Sequence, residues 1–232
     1  MNLTETLQYI FAHDTLSYDT ETTGLQYKVD TVFGISISVG IEIDQYGEVV
    51  IADGATSDDF YWDVRETPKI VSLLNEAFSE YKGRIVCHNA PFDYKMSHHS
   101  GIYLPIEQIE DTAIRAKLIN EHEDAIFPWT RRKGDYSLEW LSQKYLKVGK
   151  FAEIYQELAD MFGGRATRNV QMPNLHRAPS SMVAPYAKID TRRTLELFYW
   201  QEREIADQDI HQICEFEKQL QPVLIVTGKQ LS

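Results

Sequence analysis

The sequence predicts an α/β fold: a mixed sheet of about five strands flanked by helices, with a largely helical C-terminal half. Three observations carry this. Residues 15–54 alternate apolar and polar side chains and are rich in β-branched ones, the pattern of half-buried strands. A helical stretch at 67–83 leads straight into the short apolar run RIVCHN at 84–89. From residue 91 onward helical spacing dominates.

Taken in order, TLSYDTETT (15–23) reads as the first strand and TVFGISISVGIEI (31–43) as the second. YGE (46–48) is a turn signal, after which VVIADG (49–54) completes a three-strand meander. In TPKIVSLLNEAFSEYKG (67–83), Pro68 suits the first turn of a helix and Gly83 its end. A helical crossover returns the chain in its original direction, so RIVCHN is expected to lie parallel to the first strand. Helices follow at 91–100, 111–121, 136–146 and 151–162, then a long one near 181–218. The loop GGRATRNVQMPNLHRAP (163–179) separates the last two. Sites in open α/β sheets gather where strands end. Asp19 and Glu21 fall near the end of the first strand, and Asn89 and Asp93 just past the fourth.

Composition narrows the field. No apolar run approaches the roughly 18 residues that span a bilayer, so no membrane partner is expected. The opening MNLTETLQYIFAHD lacks the basic start of a secretory signal. Two cysteines, Cys87 and Cys214, fit a reducing compartment, and the expected setting is a cytoplasm, the host's if the protein is viral. A net charge of −12 argues against a nucleic-acid partner, but the charge is uneven. Residues 126–200 hold 12 Lys and Arg against 7 Asp and Glu, a balance of +5 that leaves −17 elsewhere. A basic surface that guides a strand towards an acidic, cation-binding centre would look like this; so would an ordinary acidic protein.

On the first strand, Ser17, Asp19 and Glu21 share one face and Leu16 and Tyr18 the other. Carboxylates two residues apart on a strand are separated by about 6–7 Å. Their repulsion is about 2–3 kcal/mol at an effective dielectric of about 20. A divalent cation offsets it directly, and hard oxygen donors suit Mg²⁺ or Mn²⁺. Water on a solvated strand face also offsets it, and an Asp-x-Glu triplet arises about once by chance in a chain this long. In HNAPFDYKM (88–96), Asp93 opens a helix and Asn89 either caps it or meets a ligand. In APYAKIDTRRT (184–194), Tyr186 and Asp190 stack one helical turn apart, with Pro185 suited to a helix start or kink.

Each motif alone is ordinary; the ordered set is not. YDTETTGL, CHNAPFDY and YAKID together resemble the DEDD 3′–5′ exonucleases whose third motif carries a tyrosine, the DnaQ-like, ribonuclease H-like class. IEDTAIRAKLIN (109–120) and YSLEWLSQKYL (136–146) resemble intervening helices of that class, so the likeness covers roughly residues 12–200. Within it, the sequence is most similar to the proofreading domain of phage family A DNA polymerases. FEKQLQPVL (216–224) resembles the segment that joins that domain to the polymerase, which divides the chain into an exonuclease domain, 1–215, and a tail, 216–232.

The resemblance implies a two-metal exodeoxyribonuclease that releases 5′-nucleoside monophosphates from single-stranded or frayed DNA 3′ ends. It implies that Asp19, Glu21 and Asp190 hold one Mg²⁺ or Mn²⁺, that Asp19 and Asp93 support a second, and that Tyr186 orients the attacking water. Leu25 would wedge against the terminal base, and Thr22, Asn89 and Phe92 would contact the terminal nucleotide. Residues 131–133 (RRK), Arg165, Arg168, Arg192 and Arg193 are candidate phosphate contacts. His98 and His99 are expected on a helix surface, and the aromatic residues at 136, 140 and 145 mostly in the core. A polymerase domain or subunit is the expected partner. Two other functions share these motifs: an RNA 3′-end exonuclease of the ribonuclease D type, and a nucleic-acid-binding module that has lost catalysis.

Overall fold

The computed structural model describes residues 2–44, 49, 57–120, 136–148 and 153–227. Its strands are β1 (Thr15–Thr22), β2 (Val32–Val39), β3 (Asp58–Asp63), β4 (Arg84–Cys87) and β5 (Ile109–Asp111), joined as one mixed sheet in the order β3-β2-β1-β4-β5. β1, β2 and β3 form the antiparallel meander, and β4 runs parallel to β1 as the crossover predicts. Helices α1 (Leu3–Phe11), α2 (Ile70–Glu80), α3 (Ala90–His99) and α4 (Thr112–Ile119) lie in the first half of the chain. The second half holds α5 (Leu138–Leu141), α6 (Glu153–Phe162), α7 (Arg168–Gln171), α8 (Ser180–Asp207) and α9 (His211–Thr227). The fold is the five-stranded mixed α/β architecture the sequence predicts.

The alternation of β1 divides its neighbours. Leu16 and Tyr18 join the main core with α1, α2 and α3, and the Tyr18 hydroxyl meets Ser97 Oγ at 2.8 Å. Ser17 faces α8 and donates to the Thr191 carbonyl at 2.8 Å. Ser38, the cross-strand partner of Ser17, donates to Thr191 Oγ1 at 2.8 Å. Short hydroxyl side chains let α8 lie close against β1 and β2, and these two bonds fix its height along the sheet.

Several features differ from the sequence-based expectation, β5 at 109–111 and the break of the 136–146 helix into α5 and a π-helical stretch among them. α1 was not foreseen; its start is a capping box in which Asn2 and Glu5 each bond the other's backbone N–H. The third strand of the meander is β3 at 58–63, not 49–54; of that segment only Val49 is described, bridged to Ile43, while 46–48 and 50–54 lie outside the described residues. The loop at 163–179 contains α7 and a 3₁₀ turn, Met172–Arg177. The long helix near 181–218 is two helices. Asp209 turns left-handed (φ 55°), Ile210 N–H returns to the Ile205 carbonyl and Asp209 N–H to that of Ala206, a Schellman ending without glycine.

α9 runs across residues 215 and 216 and packs on α3, α4 and β5. Lys218 Nζ pairs with Glu110 at 2.6 Å, and Glu110 also pairs with Arg115 at 3.1 Å. α8 begins at Ser180, so Pro185 lies inside it, exposed, rather than at its start. No helix among the described residues is long and apolar enough to cross a membrane.

Candidate active site

The site begins where β1 loses its register. Glu21 pairs with Gly34 across β2, but the pairing shifts between Glu21 and Thr22. Such a bulge re-aims side chains at a strand end. Gly34 is required here for space. A Cβ on it would lie 2.6 Å from Tyr61 Oη and 3.0 Å from Glu21 Cβ. Gly34→Ala is therefore expected to destabilise the fold by about 1–3 kcal/mol through overpacking, measured by chemical denaturation, and to displace Glu21, measured as lost nuclease rate. A fully active, equally stable variant would contradict this.

Asp190 comes from α8. The two Thr191 bonds hold the neighbouring turn against the sheet, which sets Asp190 opposite β1. One carboxylate oxygen from each of Asp19, Glu21 and Asp190 lies within 4.8 Å of the others. Tyr186, one turn earlier, lies beside Asp190 and helps to hold the Asp190 pKa down through a hydrogen bond.

Asp93 reaches the site from α3. It is 2% exposed and accepts from Thr20 N at 3.1 Å and from Thr20 Oγ1 at 2.7 Å. The approach to α3 is set by Asn89, which adopts the left-handed conformation (φ 67°, ψ 52°) that asparagine tolerates better than most residues. Asp111, at the end of β5, secures that turn: it accepts from Asn89 N and Ala90 N at 3.0 Å each and from Ala113 N at 2.8 Å. One carboxylate thus ties the starts of α3 and α4 together.

The electrostatics are those of crowded anions. Burial, then Asp93, Glu21 and Asp190, push Asp19 well above the usual carboxylate range. Burial, then Asp190 and Asp93, raise Glu21 to about 8, with Arg168 opposing. Burial raises Asp93 to about 7 against the two Thr20 hydrogen bonds. Burial likewise raises Asp190 to about 7, opposed by Tyr186 and Arg168. Every donor in the cluster is a carboxylate oxygen, the ligand type hard divalent cations take, and a cation there would remove the repulsion that raises these values. The residues present therefore fit a divalent metal.

A cavity of about 880 Å³ surrounds the cluster, and all nine residues singled out by the motifs line it: Asp19, Glu21, Thr22, Leu25, Asn89, Phe92, Asp93, Tyr186 and Asp190. Leu25 is 83% exposed at its rim. Its loop is braced by Asp30, which accepts from Gln26 N at 2.8 Å and Thr23 Oγ1 at 3.3 Å. The arginines divide. Arg192 is bound to Asp59 and Arg193 to Glu196, so neither is available as the phosphate contact the sequence suggests. Residues 131–133 lie outside the described residues. His98 and His99 are exposed on α3. Tyr136 and Trp140 are half-buried, Tyr145 stacks on Trp200 at 4.0 Å, and Tyr136 lines the cavity instead of belonging wholly to the core. The motifs did not point to Ser17, Ser38 and Thr191, nor to Gly34 and Tyr61; the visible signal was for Ser38, one of two serines inside the otherwise apolar β2.

A mixed five-stranded sheet with acidic side chains converging at the end of its first strand places the protein among the ribonuclease H-like exonucleases in fold. The catalytic core of Trypanosoma brucei RRP6 superposes with a TM-score of 0.62 at 16% identity, over 94% of this chain and 48% of that one. Escherichia coli RNase D does so with a TM-score of 0.56 at 13% identity, over 96% and 48%. Residues 2–205 match the 3′-5′ exonuclease family of the DNA polymerase A type, and the chain belongs to that family. The DNA polymerase DpoZ of Vibrio phage phiVC8 is 54% identical over 216 residues, 93% of this chain and 32% of the phage protein. The chain spans about a third of the length of the curated relatives it matches.

Proposed function

We propose that this exonuclease acts on single-stranded or frayed DNA 3′ ends, in the manner of a proofreading domain, and releases 5′-nucleoside monophosphates. The observation that carries the reading is the convergence of Asp19, Glu21 and Asp190 within 4.8 Å, from a strand and a helix far apart in the chain. Asp19, Glu21 and Asp190 would hold one Mg²⁺ or Mn²⁺, and Asp19 with Asp93 a second. When bound, such a pair stabilises the attacking and leaving oxygens of an in-line displacement. The remaining work belongs to the side chains. Tyr186, whose hydroxyl is kept protonated by burial and the neighbouring Asp190, orients the attacking water. Leu25 separates the terminal base from its neighbour, Phe92 packs against it, and Thr22 and Asn89 fix the terminal nucleotide.

The partner in this reading is a polymerase domain or subunit, which the phage DNA polymerase relatives and their greater length support. In this reading residues 1–215 are the exonuclease domain and 216–232 open the joining segment, whose described part continues α9 and stays packed on α3, α4 and β5. The setting is a cytoplasm, the host's if the protein is phage-borne.

The test presents 5′-labelled DNA and RNA oligomers of one sequence to the purified chain with Mg²⁺ or Mn²⁺. Shortening of DNA from the 3′ end, stopped by EDTA, is the expected result. Preference for RNA would replace the DNA reading with the ribonuclease D type, since only a site that senses the 2′-hydroxyl separates the two. Cleavage of neither would leave a silent binding module.

A further inference from the structure

The cavity pairs an acidic floor with very little visible positive charge. Among the described residues that line it, the cationic side chains are Lys117 and Arg168. Lys117 lies over the Tyr136 ring at 5.7 Å. Arg168, the first residue of α7, is exposed and has no ion pair or hydrogen bond from its guanidinium to a described residue. Of the other arginines, Arg165 is exposed but does not line the cavity, Arg177 bonds Asn174 at 3.0 Å and covers the Phe162 ring, Arg192 holds Asp59, and Arg193 holds Glu196.

α7 is also a built wall. Gln171, fully buried, donates from Nε2 to the Gly163 carbonyl at 2.9 Å and to the Arg165 carbonyl at 3.0 Å. Thr167 N–H donates to the same Arg165 carbonyl at 2.8 Å. Gly163 and Gly164 hold φ of 78° and 90°, a left-handed pair that turns the chain from α6 into this wall. The segment that carries Arg168 is thus fixed at the cavity by its own buried amide. Arg168 lines the same cavity as Glu21, Tyr155, Tyr186 and Asp190, which sets its guanidinium on the wall facing the cluster.

We propose that Arg168 binds the 3′-terminal phosphodiester of the substrate, the linkage cleaved by the exonuclease, through its guanidinium. This rests on the nuclease reading above. An incoming phosphodiester adds a negative charge to a site already crowded with carboxylates, and an unpaired guanidinium at the rim meets it with a planar two-pronged donor. It makes Arg168 a substrate contact that none of the three motifs contains.

The test measures binding rather than turnover. A short 5′-fluorescein single-stranded DNA is titrated in EDTA by fluorescence anisotropy, in two forms: native, and with a neutral methylphosphonate at the last linkage. Arg168→Ala is expected to bind the native form about tenfold more weakly, with a salt dependence of log affinity shallower by about 0.7. Arg168→Lys should recover the salt slope but only part of the affinity. With the methylphosphonate, wild type and Arg168→Ala should bind alike. Unchanged binding of the native form by Arg168→Ala, or an equal deficit on the methylphosphonate, overturns the assignment and leaves the nuclease reading standing if wild type cleaves with Mg²⁺. Wild type that neither binds nor cleaves the DNA overturns both.

Discussion

Asp190→Asn is expected to lower the exonuclease rate by about 10³-fold or more, the scale of losing a principal charge-stabilising group, and yet to raise the melting temperature of the protein in EDTA at pH 8. The two effects share one cause. Asp190 stands within 4.8 Å of Asp19 and Glu21, and its ionised form is disfavoured by burial. Asparagine keeps the shape, removes the charge, and relieves the fold while disarming the site. Asp19→Asn should behave alike, because Asp19 faces three other carboxylates. Single-turnover cleavage of a 5′-labelled oligomer and thermal melts in EDTA read the two halves. Near-wild-type rates in both variants would remove the cluster from catalysis; a lower melting temperature in both would show the carboxylates to be structural.

The second large effect is the dependence of stability on pH and metal. Glu21 at about 8 and Asp93 and Asp190 at about 7 all sit above their unfolded values near 4. A raised carboxylate contributes stability that is complete below its unfolded pKa and is lost as pH rises through its folded one. In EDTA this contribution should drain away between about pH 4 and pH 8. Asp63, held low by Arg65, has the opposite sign and weakens the fold only in acid. A divalent cation takes the ionised carboxylates, so its stabilisation should grow over the same interval and be greatest at pH 8 and above. At a hundredfold excess over its dissociation constant it is worth about 2.7 kcal/mol, a shift of about 5–11 °C for a chain of this size. Melting curves from pH 5 to 9 with EDTA or Mg²⁺ test this. A metal-induced shift that ignores pH would mean that the ion binds elsewhere.

How far the sequence could be read depended on where the deciding forces lay. β1 was legible because strand propensity and side-chain alternation agree there, and β4 because a helix and a short apolar run imply a parallel return. β3 was not legible. DDFYWD carries three aspartates, and its fitness as a strand depends on how they are paired: Asp59 by the distant Arg192 and Asp63 by Arg65 just beyond the strand end. The break between α8 and α9 has no glycine or proline to announce it, since Asp209 takes the left-handed turn. The motif residues were legible as an ordered set and line one cavity. The serines that seat α8 were visible only as polar letters in a strand, because their partner lies 153–174 residues away. Local sequence likewise could not say which arginines were already paired.

The docking of α8 through Thr191 has a consequence for how the enzyme comes into being. Asp19, Glu21 and Asp93 leave the ribosome long before Asp190, and the hydroxyl contacts that seat the last acid join chain positions more than 150 residues apart. If the cluster is the catalytic centre proposed above, a half-made polypeptide holds an incomplete set of its carboxylates. On that reading, the ability to bind a divalent ion is acquired only once α8 has docked on the sheet, so ion affinity reports finished assembly.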